Sequence, residues 1–105
     1  MDIENKITFF ERFEADILAG KKTITIRDKS ESYFKPQQEL EVSTFEANRL
    51  FAHIRVLSVT PIQFEQLNEM HAKQENMTLA QLKQVIKEIY PHDNDFFVIE
   101  FELLK

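Results

Sequence analysis

Residues 20–27 have the sequence Gly-Lys-Lys-Thr-Ile-Thr-Ile-Arg, in which one glycine precedes a short alternating segment. The apolar residues before Gly20 recur at helical spacing, and a glycine in this place is typical of the left-handed residue that ends a helix. Ile24 and Ile26 then alternate with polar residues, which predicts a strand with one apolar face and one polar face. The segment therefore predicts a helix that ends at a turn and leads directly into a half-buried strand.

The polar side of this strand carries the hydroxyl of Thr25 and the guanidinium of Arg27, with the amine of Lys22 at the strand entrance. A nucleophile, a possible base and a fixed positive charge thus lie within a few residues of each other. From the pattern alone, a solvated polar face on an ordinary strand is the favoured interpretation, since any half-buried strand alternates in this way. In a regular strand, Lys22 and Thr25 would point to opposite faces. They can converge only if Lys22 belongs to the turn before the strand.

Signals along the rest of the chain predict elements in the order β-α-β-β-β-α-α-β. The predicted strands are at residues 7–10, 23–27, 40–45, 50–59 and 95–103. The predicted helices are at about residues 10–18, 60–70 and 78–90. The pair Thr60-Pro61 predicts the start of the second helix, because a capping hydroxyl precedes a proline at the first helical position. Thr78, with Gln81 three residues later, predicts a capping box at the start of the third.

Short connections between consecutive strands favour antiparallel pairing. A small sheet with helices against it must either curl closed or cover its edges. We therefore expect an α+β fold, a small β-barrel of about five mostly antiparallel strands with about three flanking helices.

Composition limits the possible function classes. A chain of 105 residues forms one domain that can bury its own core. The absence of cysteine excludes disulfides, thiolate metal sites and cysteine nucleophiles. The three histidines lack the spacing of metal ligands, so we assign no metal.

The N-terminus has neither the basic region nor the apolar region of a secretory signal. The longest apolar run, Phe96–Ile99, is too short to cross a bilayer. We expect a cytoplasmic, monomeric protein with no membrane association.

The pattern Gly20-x-Lys22-Thr23-x-Thr25-x-Arg27 resembles the signature of the ASCH domain, a member of the PUA-like superfamily of small β-barrels. The likeness is closer still to the bacterial N(4)-acetylcytidine amidohydrolases, and it runs over nearly the whole chain in the same order. The segments that carry it are Ile7–Phe10, Asp16–Gly20, Thr23–Asp28, His71–Leu79 and Ile89–Pro91. The resemblance implies a single ASCH domain over residues 1–105.

The resemblance also implies a reaction, the hydrolysis of the acetyl amide on the exocyclic nitrogen of cytidine to give cytidine and acetate, without a cofactor. By position in the matched motifs, the family's base falls on Lys22, its nucleophile on Thr25 and its proton donor on Glu75. Lys22 can act as a base only if it is uncharged, and burial and neighbouring positive charge both lower the pKa of a lysine. Lys21 and Arg27 can supply that charge, and we expect both to contact the substrate.

An aromatic side chain that stacks on the pyrimidine is also expected. Tyr33, in the polar loop after the strand, is our candidate for this contact, beside Phe34. Packing of the loop onto the barrel is the alternative explanation for both rings. His71 lies near Glu75 in the sequence, but a helix-end histidine is its favoured interpretation.

Two other functions stay open: an RNA-binding module of the PUA-like type, and a deacetylase that acts on acetylated cytidine within RNA. The formal net charge of −5 disfavours both, because tight binding of a polynucleotide depends on Lys and Arg neutralising phosphates. A short basic patch suits a nucleoside or nucleotide better than a polymer. Its members are Lys21, Lys22, Arg27, Lys29 and Lys35.

Overall fold

The computed structural model describes residues 5–104, so the sequence-based interpretation of the extreme N-terminus falls partly outside the described residues. The strands are β1 (Lys6–Phe9), β2 (Ile24–Arg27), β3 (Glu39–Thr44), β4 (Leu50–Gln63) and β5 (Asp95–Leu104). The α-helices are α1 (Glu14–Leu18), α2 (Glu69–Gln74) and α3 (Leu79–Ile89). Single turns of 3₁₀-helix occur at Glu11–Phe13, Lys29–Glu31 and Phe64–Gln66. No helix within residues 5–104 is long and apolar enough to cross a membrane.

The five strands form one mixed sheet in the order β1-β3-β4-β5-β2. The β1–β3 ladder is parallel and the other three are antiparallel, which confirms the α+β class with mostly antiparallel strands. Backbone pairing between the described strands does not close the sheet into a barrel, because β1 and β2 remain at its two edges. A side chain spans the two edges instead: Nη2 of Arg27 on β2 donates a hydrogen bond of 2.7 Å to the Thr8 carbonyl oxygen on β1.

The predicted helix start at Thr60-Pro61 is wrong. Strand β4 continues to Gln63 and pairs with β5 along this stretch, with Pro61 opposite Phe97. The β3–β4 ladder ends at Arg55, so this part of β4 has a sheet neighbour on one side, where a proline without an N–H is tolerated. Long-range pairing therefore overrides the local capping signal.

Two apolar clusters hold the sheet and the helices together. The first covers one face of the sheet and includes Ile7, Phe9, Ile17, Phe34, Leu40, Val42, Ile54, Val56, Ile99 and Phe101. The second joins β2 and β5 to α2 and α3 through Ile24, Ile26, Leu67, Ala72, Leu82, Ile86 and Phe96. Strand β5 thus contributes to both clusters from its two faces. The predicted capping box at Thr78 is confirmed and fixes the start of α3, whose apolar stripe faces β2.

Candidate active site

A cavity of about 230 Å³ opens between the two sheet edges and helix α3. Four charged or hydroxyl side chains predicted from the sequence line it: Lys22, Thr25, Arg27 and Glu75. Aromatic rings surround them, from Phe9, Phe10, Phe13, Phe45 and Tyr90. The wall from α3 is aliphatic, with Leu82, Val85, Ile86 and Ile89. A small group of polar side chains inside an otherwise apolar cavity is typical of a binding or catalytic site.

The end of α1 positions Lys22. Gly20 has a φ of 74°, and the amide of Lys21 bonds back to the Asp16 carbonyl at 2.9 Å, which is the Schellman arrangement expected at a helix end. The amide of Lys22 donates to the same carbonyl at 3.2 Å. Lys22 therefore lies in the turn before β2, and its side chain lines the same cavity as Thr25, three positions later.

A second helix end positions Glu75, which is the C-cap residue of α2. Asn76 adopts a left-handed conformation with φ 58°, and its amide donates to the Lys73 carbonyl. The amide of Met77 donates to the Ala72 carbonyl at 3.0 Å, which completes another Schellman motif. This abrupt end turns the carboxylate of Glu75 inward, so that the residue is only 4% exposed.

The two helix ends bring Lys22 and Glu75 into direct contact, since Nζ of the lysine bonds to Oε1 of the glutamate. Both side chains are almost fully buried, at 3% and 5% exposure. Burial, followed by the nearby positive charge of Arg27, lowers the pKa of Lys22 from 10.5 to about 7, against an opposing effect of Asp16. The amine also lies 4.9 Å from the ring centroid of Phe13. At neutral pH a large share of Lys22 is therefore an uncharged amine, the form that can accept a proton.

Arg27 holds the hydroxyl of Thr25. Its Nε donates to Oγ1 of Thr25 at 2.9 Å, and its Nη1 donates to Oε1 of Glu31 at 2.7 Å. With the bond to the Thr8 carbonyl, all three guanidinium nitrogens are engaged. Thr25 itself is 5% exposed, so its hydroxyl reaches solvent mainly through the cavity.

Two of the predicted substrate contacts lie elsewhere. Lys21 is exposed and is not among the described residues that line the cavity. Tyr33 is 45% exposed and stacks on Phe34 with ring centroids 4.5 Å apart, also outside the cavity lining. Phe34 is buried in the first apolar cluster, so the alternative of loop packing is confirmed for this ring.

The aromatic residues of the cavity were not predicted as site residues. Phe45 is 65% exposed at the cavity mouth, and its ring meets that of Phe10 edge-on at 5.4 Å. Tyr90 ends α3, and its pKa is raised, mainly by burial. Tyr90 lies in the segment Ile89–Pro91, which is one of the segments that carry the family resemblance. This resemblance is the only sequence feature from which Tyr90 could have been predicted as a site residue.

The histidines do not enter the site. Nδ1 of His71 accepts a hydrogen bond from the amide of Asn68 at 3.2 Å as part of the capping box of α2. His71 therefore lies at a helix end, but in the first turn of α2 and not after the helix predicted over residues 60–70. Within residues 5–104, no three His, Asp or Glu side chains come together in a way that can hold a metal ion.

The ASCH domain model matches residues 3–105 of the chain. The chain belongs to the ASCH domain family. Its relatives within the family include proteins named N(4)-acetylcytidine amidohydrolase, which confirms the resemblance found in the sequence. The protein of that name from Pasteurella multocida (strain Pm70) is 70% identical over 100 residues, which cover 95% of this chain and 96% of the relative. The one from Vibrio vulnificus (strain YJ016) is 59% identical over 102 residues, covering 97% and 98%.

The ASCH fold is also found by comparison with solved structures. The crystal structure of an ASCH domain from Lactobacillus crispatus JV V101 superposes with a TM-score of 0.78 over 94% of this chain and 79% of that one. The sequence identity is 14%, so this likeness concerns the fold alone.

Proposed function

We propose that this ASCH domain is an amidohydrolase that converts N(4)-acetylcytidine and water into cytidine and acetate. The names of relatives at 59–70% identity support this substrate. The observation that carries the proposal is the buried contact of Lys22 with Glu75, in the same cavity as the hydroxyl of Thr25. This arrangement supplies a base, a proton donor and a nucleophile in a site sheltered from bulk water.

In the proposed first step, the uncharged amine of Lys22 takes the proton of the Thr25 hydroxyl while Oγ1 attacks the acetyl carbonyl carbon. A threonine hydroxyl is a weak nucleophile at neutral pH and needs such a base. The attack turns the carbonyl oxygen into an oxyanion. Arg27 carries a positive charge beside Thr25, and a fixed charge at this place stabilises the oxyanion more than the neutral ground state.

In the second step, the C–N bond breaks and the exocyclic nitrogen of cytosine gains a proton from Glu75. This step requires a protonated Glu75 beside a neutral Lys22, and the direct contact between the two side chains provides a path for a proton between nitrogen and oxygen. The acetyl group then forms an ester with Thr25. The proton on Lys22 then passes through its contact with Glu75 to the glutamate carboxylate, which restores the neutral amine and the protonated carboxyl. Water attacks the ester while Lys22 takes a proton from it, the bond to Oγ1 breaks, and Lys22 returns this proton to Thr25, releasing acetic acid, which ionises to acetate.

The charge of the cavity supports a neutral nucleoside as substrate. Of the residues known to line it, the cations are Lys22 and Arg27, and each has a carboxylate partner, Glu75 and Glu31. The other lysines of the predicted basic patch do not line the cavity, so they do not converge on a phosphate there. Aromatic rings such as those of Phe45 and Tyr90 can cover the flat face of a pyrimidine.

Release of acetate from N(4)-acetylcytidine by the purified protein tests this function. We expect turnover by the wild type and a loss of most activity in Thr25→Ala. Thr23→Ala, a neighbouring threonine outside the cavity lining, is the matched control and should keep wild-type activity. Absence of acetate release at high enzyme concentration contradicts the proposal.

Mass spectrometry of the protein quenched during turnover tests the covalent step. An added acetyl group on the peptide that contains Thr25 supports the ester intermediate. Turnover without any such adduct, even after rapid quenching, assigns Thr25 the different role of orienting the attacking water.

The two alternatives that involve RNA remain predictions. A gel-shift assay across a salt series separates them from nucleoside hydrolysis, since binding to a phosphate backbone weakens steeply as salt increases. Assaying acetate release from an acetylated RNA oligonucleotide beside the free nucleoside then tests whether the cavity accepts the modified base within a polymer.

A further inference from the structure

Glu31 is a charged residue that the sequence analysis did not select; it lines the cavity and contacts Arg27. It lies in the single 3₁₀ turn that follows β2, and its carboxylate accepts a 2.7 Å hydrogen bond from Nη1 of Arg27. The side chain of Glu31 is 34% exposed, whereas that of Arg27 is 12% exposed. The pair therefore extends from the cavity wall toward the surface, with the guanidinium on the inner side.

A guanidinium is planar and can only donate hydrogen bonds, so the orientation of Arg27 determines that of Thr25. Because Nε donates to Oγ1, the threonine oxygen acts as the acceptor in this bond. The hydroxyl hydrogen of Thr25 must then point away from Arg27. The lysine that would receive this hydrogen lines the same cavity.

Two outer contacts fix the plane of the guanidinium. One is the Thr8 carbonyl, a backbone group on the edge strand β1. The other is the side chain of Glu31, which accepts a hydrogen bond from Nη1. The third partner of the guanidinium is Thr25 itself. Without Glu31, the guanidinium keeps one outer anchor and can rotate about it, which releases the bond from Nε to Thr25.

The turn that carries Glu31 is capped at its N-terminal end. The side chain of Asp28 accepts hydrogen bonds from the amide and the hydroxyl of Ser30, at 3.1 Å and 2.6 Å, and so caps the turn. The turn also lies close to Tyr90 at the end of α3, since the backbone of Asp28 and the charge of Glu31 both affect the pKa of the Tyr90 hydroxyl. The turn thus lies near the end of the helix that forms the opposite wall of the cavity.

We propose that Glu31 is a positioning residue: it anchors Arg27 so that the guanidinium holds the Thr25 hydroxyl in the orientation needed for attack. This inference rests on the proposed hydrolysis. It assigns Glu31 no contact with the substrate. Its removal should therefore lower kcat and leave KM nearly unchanged, since the nucleophile is misplaced while the rings and aliphatic side chains of the cavity stay in place.

Kinetics of Glu31→Ala and Glu31→Gln with N(4)-acetylcytidine test the proposal. We expect Glu31→Ala to lower kcat about tenfold with a KM within about twofold of wild type, because small misplacements of reacting groups are costly. Glu31→Gln should recover most of the loss, since its amide oxygen can still accept from Nη1. Glu102→Ala, which removes a carboxylate from the exposed Arg55 at a site outside the cavity lining, is the matched control and should change neither constant.

A kcat for Glu31→Ala close to that of wild type overturns the proposal, and so does an effect confined to KM. The same conclusion follows if Glu31→Gln is no better than Glu31→Ala. A readout that does not depend on activity is the NMR signal of the Arg27 Nε–H group. Slow exchange of this hydrogen in the wild type and fast exchange in Glu31→Ala support the anchoring role, and equal exchange in both contradicts it. Failure of the wild type to turn over the substrate would contradict only the proposed function.

Discussion

Two of the Lys/Arg–Glu groupings within residues 5–104 have sharply different surroundings. Lys22 and Glu75 form a contact with side chains 3% and 5% exposed. Arg55, on β4, bonds to Glu39 and Glu102 across neighbouring strands, where the three side chains are between 34% and 64% exposed. Water surrounds the second group and is excluded from the first.

The same kind of ion pair has opposite effects in the two places. At the surface, the hydrogen bonds from Glu39 and Glu102 raise the pKa of Arg55, so the arginine is charged at every relevant pH. In the cavity, desolvation and then the charge of Arg27 outweigh the opposing effect of Asp16 and lower the pKa of Lys22 to about 7. Burial thus turns a permanent cation into a group that can exchange a proton near neutral pH, which is the requirement for a general base.

The largest effect is expected from removing the buried amine. Lys22→Met keeps the length and apolar contacts of the side chain but cannot accept a proton, and we expect kcat/KM to fall by about 10²–10⁴-fold. Acetate release from N(4)-acetylcytidine measures the loss. Arg55→Met removes the exposed cation by the same substitution and should leave the rate at the wild-type level. Equal losses in the two variants would mean that burial does not distinguish the two groups.

The pH dependence of the wild-type rate is the next test. Because the free enzyme needs an uncharged Lys22, kcat/KM should rise as the pH increases through about 7, by about tenfold per unit on the acidic side. Asp16 raises the pKa of Lys22, so Asp16→Asn should move this rise to lower pH. A rise that stays in place in Asp16→Asn, in a variant that folds normally, would show that another group controls the rate.

A smaller effect is expected on stability. The unfolded chain holds the lysine proton up to about pH 10.5, whereas the folded chain releases it near pH 7. The free energy of unfolding should therefore rise with pH between these two values, with a contribution from Lys22 of up to about 1 kcal/mol per pH unit. Denaturant unfolding of the wild type and Lys22→Met at several pH values measures this contribution as the difference between the two curves. A difference that does not change between pH 7 and 10 contradicts the lowered pKa.

Much of the buried site could be predicted from local sequence, because short signals position it. Gly20 ends α1 with a positive φ and places Lys22 in the turn, as expected from the sequence. The contact between Lys22 and Glu75 joins residues 53 positions apart, and no local pattern indicates it. Only the family resemblance placed Glu75 in the site. Asn76, with a φ of 58°, is the left-handed residue that ends α2 beside Glu75, as Gly20 ends α1 before Lys22. An asparagine predicts such a helix end less strongly than a glycine does.

The remaining errors come from long-range structure. Tyr33 lies close to the site in sequence, but its loop packs on the sheet through Phe34, and it does not reach the cavity lining. Two rings that line the cavity, those of Phe45 and Tyr90, lie directly after β3 and α3, and the folded sheet brings these chain ends to β1 and β2. The strand order of the sheet depends on which strands pair with each other. The hydrophobic periodicity of a single segment does not indicate its pairing partner, so these rings could not be predicted from it.

The smallest effect is expected at the exposed group. Glu39→Gln removes one carboxylate from Arg55, which retains Glu102 as its partner at 3.0 Å. Exposed ion pairs add little to stability because water and salt screen both charges and because long side chains lose entropy when they pair. We therefore expect the thermal unfolding midpoint and the rate of acetate release to stay near the wild-type values in Glu39→Gln, at low and at high salt. A clear loss of stability that disappears at high salt would show that the ion pairs of Arg55 stabilise the sheet electrostatically. The exposed grouping and the buried pair of Lys22 and Glu75 would then differ only in the ability of the buried pair to exchange a proton near neutral pH.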